Sequence, residues 1–254
     1  MNPGRTMAFC GKGGVGKTFL ASAAVRLLVE GGRRRILAVD ADPSSGLSQA
    51  LGVEVRRTVE DLRREWVSSV GKMSREELAL SLDYGVLRAV EEGRGFSLLA
   101  MGRPEEEGCY CRVNEFLREI LTSFTRGFEV VVIDGEAGVE QINRRVMREV
   151  DDLLLVSDSS PRSLAVASAI GGVARKGAVR YRRMGLVLNR VGEGEGVRIP
   201  EGMELLGRIP EDGKVEEMDR RGLTIFQLDA RSPALAAVGR LLGGLGYLTP
   251  GSGA

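Results

Sequence analysis

The stretch Ala8 to Thr18 reads AFCGKGGVGKT: an apolar run, a cluster of glycines, then a Lys-Thr pair opening a helical segment. Strand, glycine-rich turn and helix in that order form the setting a phosphate-binding loop requires. Around Val15, the glycines Gly13, Gly14 and Gly16 let backbone N–H groups turn toward a phosphate with no Cβ in the way. The helix N-terminus adds the positive end of its dipole. Lys17 is then placed to reach the β- and γ-phosphates of a nucleotide, and the Thr18 hydroxyl to ligate Mg²⁺.

Lysine usage sets this loop apart. Of 36 basic residues only five are lysine, at positions 12, 17, 72, 176 and 214, and two of these fall inside the loop. A chain that otherwise uses arginine places a compact ammonium where a forked guanidinium would not fit.

Apolar stretches bounded by Gly, Asp and Pro alternate with helical segments along the chain, as in a parallel sheet covered on both faces. Strands are predicted over Thr6–Cys10, Arg35–Val39, Phe96–Met101, Glu129–Ile133, Leu153–Ser157, Met184–Leu188 and Leu205–Ile209. Helices are predicted over Lys17–Glu30, Ser74–Glu92, Val113–Thr125, Glu140–Val150, Pro161–Arg175, Val215–Arg221 and Pro233–Leu245. The expected architecture is one three-layer α/β domain over residues 1–248, with a mostly parallel sheet of about seven strands. Residues near 53–95, rich in Arg and Glu, read as a helical excursion packed on the sheet edge, and 249–254 as a disordered tail.

Composition narrows the chemistry. The 36 basic residues are balanced by 35 acidic ones, so no charge excess favours nucleic acid or an anionic membrane. No apolar run approaches the roughly 20 residues of a membrane span, and the first nine residues have no signal-peptide core. A cytoplasmic protein without nucleic-acid or membrane partners is expected. Histidine is absent, which removes imidazole as base or ligand and with it Ser/His/Asp hydrolysis and His-ligated zinc catalysis. Three cysteines, Cys10, Cys109 and Cys111, argue for reduced thiols rather than a disulfide framework.

Carboxylates fall at the ends of predicted strands, where open α/β sheets bind ligands: Asp40 and Asp42 in AVDADPSS, and Asp134 closing EVVVID. With KGGVGKT, these segments resemble the deviant Walker A ATPases, the class of MinD, ParA and the nitrogenase iron protein. The resemblance implies that Lys12 reaches across a homodimer to the partner's nucleotide and that Asp42 positions the attacking water. It implies Asp40 near the metal, Asp134 holding Mg²⁺ through water, and Gly138 in DGEAGVE as a backbone donor to the γ-phosphate. Asn189 in GLVLNR resembles the base-reading Asn of the class, and Pro210 in GRIPED the segment that flanks adenine. Phe19 departs from the pattern, standing where many relatives carry a hydroxyl that contacts the α-phosphate.

Cys109-Tyr110-Cys111 lies before a predicted helix, where thiolates are favoured. One such pair binds a soft or borderline metal incompletely; two pairs meeting across a dimer axis would complete a four-sulfur site. GKGGVGKT, VDADP, CYCRVNEFL and DGEAGVEQ in this order are similar to the CooC-type nickel-insertion ATPases of carbon-monoxide dehydrogenase maturation. That resemblance implies an ATP- and Mg²⁺-dependent homodimer holding Ni²⁺ or Zn²⁺ at its interface, with carbon-monoxide dehydrogenase or a related nickel enzyme as client. An iron–sulfur electron donor or a ParA/MinD-like positioning ATPase are the alternatives. DGEAGVEQ lacks the second cluster cysteine of the former, and neither a basic surface nor a membrane tail marks the latter.

Overall fold

The computed structural model describes residues 4–42, 44–69, 84–103, 119, 121–136, 149–192 and 194–248. Strands β1 (Arg5–Gly11), β2 (Ile36–Asp40), β3 (Val90–Glu92), β4 (Ser97–Ala100), β5 (Val130–Asp134), β6 (Glu149–Ser157), β7 (Arg180–Val191) and β8 (Leu205–Pro210) form one sheet in the order β3-β4-β2-β5-β1-β6-β7-β8. Every pairing is parallel except the edge pair β3–β4.

Among the described residues the numbered helices are α1 (Lys17–Glu30), α2 (Gly46–Leu51), α3 (Val59–Ser69), α4 (Pro161–Val173), α5 (Gly213–Arg220) and α6 (Pro233–Gly244), with further helical residues at 84–89 and 121–125. They cover both faces. Successive residues of the central strands point to opposite layers: Met7, Phe9, Ile36, Ala38, Val130 and Val132 pack toward α1, α2 and α6. Ala8, Leu37, Val39, Val131 and Ile133 pack toward α3, with its Trp66, and α4. Burial on both faces explains why these strands read as unbroken apolar runs.

The sheet has eight strands rather than about seven, and two expected helices end early. The helix expected over Ser74–Glu92 is present at 84–89, but Val90–Glu92 then turns into edge strand β3. The Gly93 N–H donates to the Phe96 carbonyl at 2.8 Å and Gly95 has φ of 85°, so the glycines of EEGRGF close a hairpin. Three residues are too few to show an alternating pattern. Glu149 and Val150, placed at the end of a helix over Glu140–Val150, instead begin β6. β7 extends well below Met184–Leu188: its polar stretch Arg180–Arg183 pairs with β6, and Arg182 Nη1 meets Asp151 Oδ1 at 3.1 Å. The remainder of the helices expected over Val113–Thr125 and Glu140–Val150, and the tail 249–254, lie outside the described residues.

The C-terminal end is fastened to the bottom of the sheet. The Tyr247 hydroxyl donates to Asp152 Oδ2 at 2.8 Å, and Arg5 stacks over its ring at 4.0 Å while donating to the same carboxylate at 2.7 Å. Among the described residues no helix is long and apolar enough to cross a membrane.

Candidate nucleotide site

Strand order brings the site together. β1 lies between β5 and β6, and β5 between β1 and β2, so the loop leaving β1 and the last residues of β5 and β2 share one edge. In register, Asp134 stands opposite both Phe9 and Asp40. Gly135 N–H donates to the Phe9 carbonyl at 2.9 Å and Ala41 N–H to the Asp134 carbonyl at 3.0 Å, fixing the three strand ends.

The loop is shaped by its glycines. Gly14 and Gly16 have φ of 82° and 90°, a region that side chains with a Cβ avoid. A Cβ on Gly13 or Gly14 would meet nothing within 4 Å, so this side is open to a ligand. A Cβ on Gly16 would stand 2.2 Å from Asn189 Nδ2, where the loop is packed against β7. The first turn of α1 carries no acidic residue, which leaves its positive end free for an anion. Lys17 is buried and donates from Nζ to the Lys12 carbonyl at 3.3 Å, its head folded back on the loop that would hold the phosphates.

Thr18 Oγ1 donates to Asp134 Oδ2 at 2.7 Å, and Asp40 Oδ2 accepts from the Ser48 N–H at 3.0 Å. The other oxygen of each carboxylate, Asp134 Oδ1 and Asp40 Oδ1, is buried with no hydrogen-bond partner. Burial pushes Asp134 up to about 7, against the Thr18 hydrogen bond, with Asp40 raising it further and Lys17 lowering it. Burial likewise pushes Asp40 up to about 6, opposed by the Ser48 N–H and reinforced by Asp42. Two orphaned carboxylate oxygens beside a hydroxyl fit a hydrated Mg²⁺. The cation would find the Thr18 hydroxyl as its protein ligand, the carboxylates as acceptors for its water, and its remaining ligands on the nucleotide. Among the described residues no group of three or more Cys, Asp or Glu converges.

Asp42 lies at the mouth, where its Oδ1 accepts from Ser44 N–H at 2.9 Å and Ser44 Oγ at 2.7 Å. On the far side of the loop, buried Asn189 donates from Nδ2 to the Val15 carbonyl at 2.8 Å. With Pro210 and Phe19 it lines a pocket walled by Glu211, Val215 and Ala234. Phe19, which lacks the hydroxyl usual after such a loop, thus gives the pocket an aromatic wall. Asp212 fixes the pocket floor by bridging two helix starts, accepting from Lys214 N–H at 3.0 Å and from Ser232 Oγ at 2.6 Å.

Lys12, Gly13 to Thr18, Asp40, Asp42, Asp134, Asn189 and Pro210 therefore share one edge of the sheet. Gly138, Cys109 and Cys111 lie outside the described residues. Cys10 is buried within β1, and that burial pushes its thiol up to about 12, only partly offset by Lys17. Reasoning from sequence missed Ser48, Asp212 and Arg190, the last of which donates from Nη1 to the Gly14 carbonyl at 3.1 Å. Arg190 has φ of 57°, a left-handed conformation costing a residue with a Cβ about 1–2 kcal/mol.

A phosphate cradle at a helix start, a buried acid pair on adjoining strand ends and a pocket of mixed polar and apolar lining beyond it define a P-loop nucleotide hydrolase. Residues 6–225 match the CobQ/CobB/MinD/ParA nucleotide binding domain, and the chain belongs to that family of nucleotide-binding ATPases. An uncharacterized ATP-binding protein of Methanocaldococcus jannaschii is 36% identical over 230 residues, spanning 87% of this chain and 90% of that protein. The carbon monoxide dehydrogenase accessory protein CooC of Rhodospirillum rubrum is 30% identical over 264 residues, spanning 93% of this chain and 95% of CooC. The fold is that of the cell division ATPase MinD of Pyrococcus furiosus, with a TM-score of 0.69 at 24% identity over 96% of this chain and 98% of that one.

Proposed function

We propose that the chain is a cytoplasmic, Mg-ATP-dependent homodimeric metallochaperone. Its ATP cycle delivers nickel to carbon-monoxide dehydrogenase or a related nickel enzyme. The observation that carries this reading is the pair Cys109 and Cys111 in a family ATPase whose similarity to CooC runs over 93% of the chain. Other duties of the fold do not call for a CxC.

In this reading Gly13 to Gly16 cradle the phosphates through backbone N–H groups, and Lys17 turns from the Lys12 carbonyl to the β- and γ-phosphates. Gly138 adds a backbone N–H at the γ-phosphate. Thr18, Asp40 and Asp134 would hold Mg²⁺ and its water, and the ion would supply charge neutralisation on the phosphates. Asp42 orients a water, which attacks the γ-phosphorus as the bond to the β-phosphate oxygen breaks. Phosphate and ADP leave, and one proton is released near neutral pH. Asn189 and Pro210 hold the adenine, and Lys12 stabilises the charge on the partner's nucleotide. The cargo is Ni²⁺, or Zn²⁺ in its place, held by two thiolates from each subunit.

Metal binding by the purified dimer tests this. One Ni²⁺ or Zn²⁺ per dimer is expected, lost in Cys109→Ser and in Cys111→Ser and kept in Cys10→Ser. A four-iron brown chromophore would make the protein an electron donor instead. A metal-free protein that binds DNA or liposomes with ATP would make it a positioning ATPase.

A further inference from the structure

Two neighbouring residues of β7 reach the same loop, which a regular strand does not allow. Successive side chains of a strand point to opposite faces. Here Asn189 pairs with Ile209 and Val191 with Pro210, so Arg190 is an extra residue on β7 with no counterpart on β8. It takes up the bulge in a left-handed conformation, φ 57°. The bend brings both side chains to the same loop: buried Asn189 donates from Nδ2 to the Val15 carbonyl at 2.8 Å, and exposed Arg190 from Nη1 to the Gly14 carbonyl at 3.1 Å. A bulge that re-aims side chains at a site is a built feature.

We propose that Arg190 is a positioning residue for phosphate binding, acting through the Gly14 carbonyl and not through the nucleotide. Gly14 is exposed, with φ of 82° and, among the described residues, open space at the position of a Cβ. With the carbonyl drawn to the Arg190 guanidinium, the peptide N–H groups of the loop are kept turned the other way, toward the phosphates. The remaining restraints have other duties once a nucleotide arrives. Lys17 leaves the Lys12 carbonyl for the phosphates, and the Asn189 amide borders the base pocket. Arg190 lines the same pocket, so the bulge ties the base pocket to the phosphate loop. The inference rests on the ATPase assignment and not on the metal cargo.

The test uses the full chain and the variants Arg190→Gly and Arg190→Lys. Glycine keeps the left-handed backbone without steric cost, so Arg190→Gly removes the side chain and spares the fold. Titrations with adenosine, ADP and Mg-ATP separate the outcomes. Loss of one hydrogen bond that orders the loop weakens ADP and Mg-ATP by the same factor, about three- to tenfold. Adenosine binding, followed by ligand-detected NMR, stays unchanged, and Arg190→Lys recovers part of the loss. Unchanged affinity for ADP and ATP overturns the proposal. So does weakening of ATP alone, which would make Arg190 a γ-phosphate contact, or equal weakening of adenosine, which would make it only a wall of the base pocket.

Discussion

Asp134 and Asp40 hold protons in the folded protein that the unfolded chain releases in the ordinary carboxylate range, because burial pushes them up to about 7 and about 6. From that range up to about pH 7 the folded state binds more protons than the unfolded one, so the stability these groups contribute falls as pH rises. In the proposed function both carboxylates hold Mg²⁺ and its water in ionised form, so Mg-nucleotide binding should release protons and strengthen as pH rises through 6 to 7. Calorimetry in buffers of different ionisation enthalpy would measure that release. Asp134→Asn removes the buried charge while keeping an acceptor for Thr18. Its nucleotide-free Tm at pH 8 should exceed wild type by about 2–8 °C, the gap closing at pH 5. Equal Tm values at pH 8 would show that Asp134 is not under this strain. Lys17→Ala should abolish turnover, and wild-type rates in that variant would refute the phosphate-loop assignment. Asp42→Ala should retain nucleotide and lose about a hundredfold or more in kcat; equal loss of binding would make Asp42 structural. Asp40 and Asp134 could be found from sequence because each ends an apolar run, and Lys17 because it closes a glycine-rich loop. Arg190 could not, since a one-residue bulge leaves no periodic trace.

At the scale of elements, the loop and α1 form one device whose hinge is Gly16. A Cβ there would stand 2.2 Å from Asn189 Nδ2 on a backbone with φ of 90°. Gly16→Ala should therefore fold but lose nucleotide binding by at least tenfold, read by titration with Mg-ADP; undiminished affinity would mean that the loop tolerates a shift away from β7. Parallel strands β1, β2 and β5 were legible because burial on both faces makes them continuous apolar runs. Their neighbours were less so. β3 is three residues long, and the polar half of β7 is held by ion pairs with β6, such as Arg182 with Asp151, that hydropathy cannot see. The fastening at Tyr247 was likewise hidden, since pairing with Asp152 and Arg5 spans nearly the whole chain. Tyr247→Phe should cost about 1 kcal/mol in chemical denaturation without altering nucleotide affinity.

For the whole molecule, the proposal gives Lys12 a role in trans, at the nucleotide of a second protomer. ATP should then drive dimerisation, seen by analytical ultracentrifugation, and Lys12→Ala should abolish the response. A protein equally dimeric with and without ATP, and indifferent to Lys12→Ala, would remove that role. In the proposed cycle nucleotide hydrolysis acts on a metal held between subunits, so the two ligands share one free-energy balance. Linkage makes the effect reciprocal: if ATP changes Ni²⁺ affinity by some factor, Ni²⁺ changes ATP affinity by the same factor. Paired titrations of the hydrolysis-deficient Asp42→Ala protein, nickel with and without ATP and ATP with and without nickel, measure both sides of that balance. Equal factors of at least fivefold are expected, lost in Cys109→Ser; nickel affinity independent of ATP, or no nickel bound at all, would contradict metal delivery by the ATP cycle.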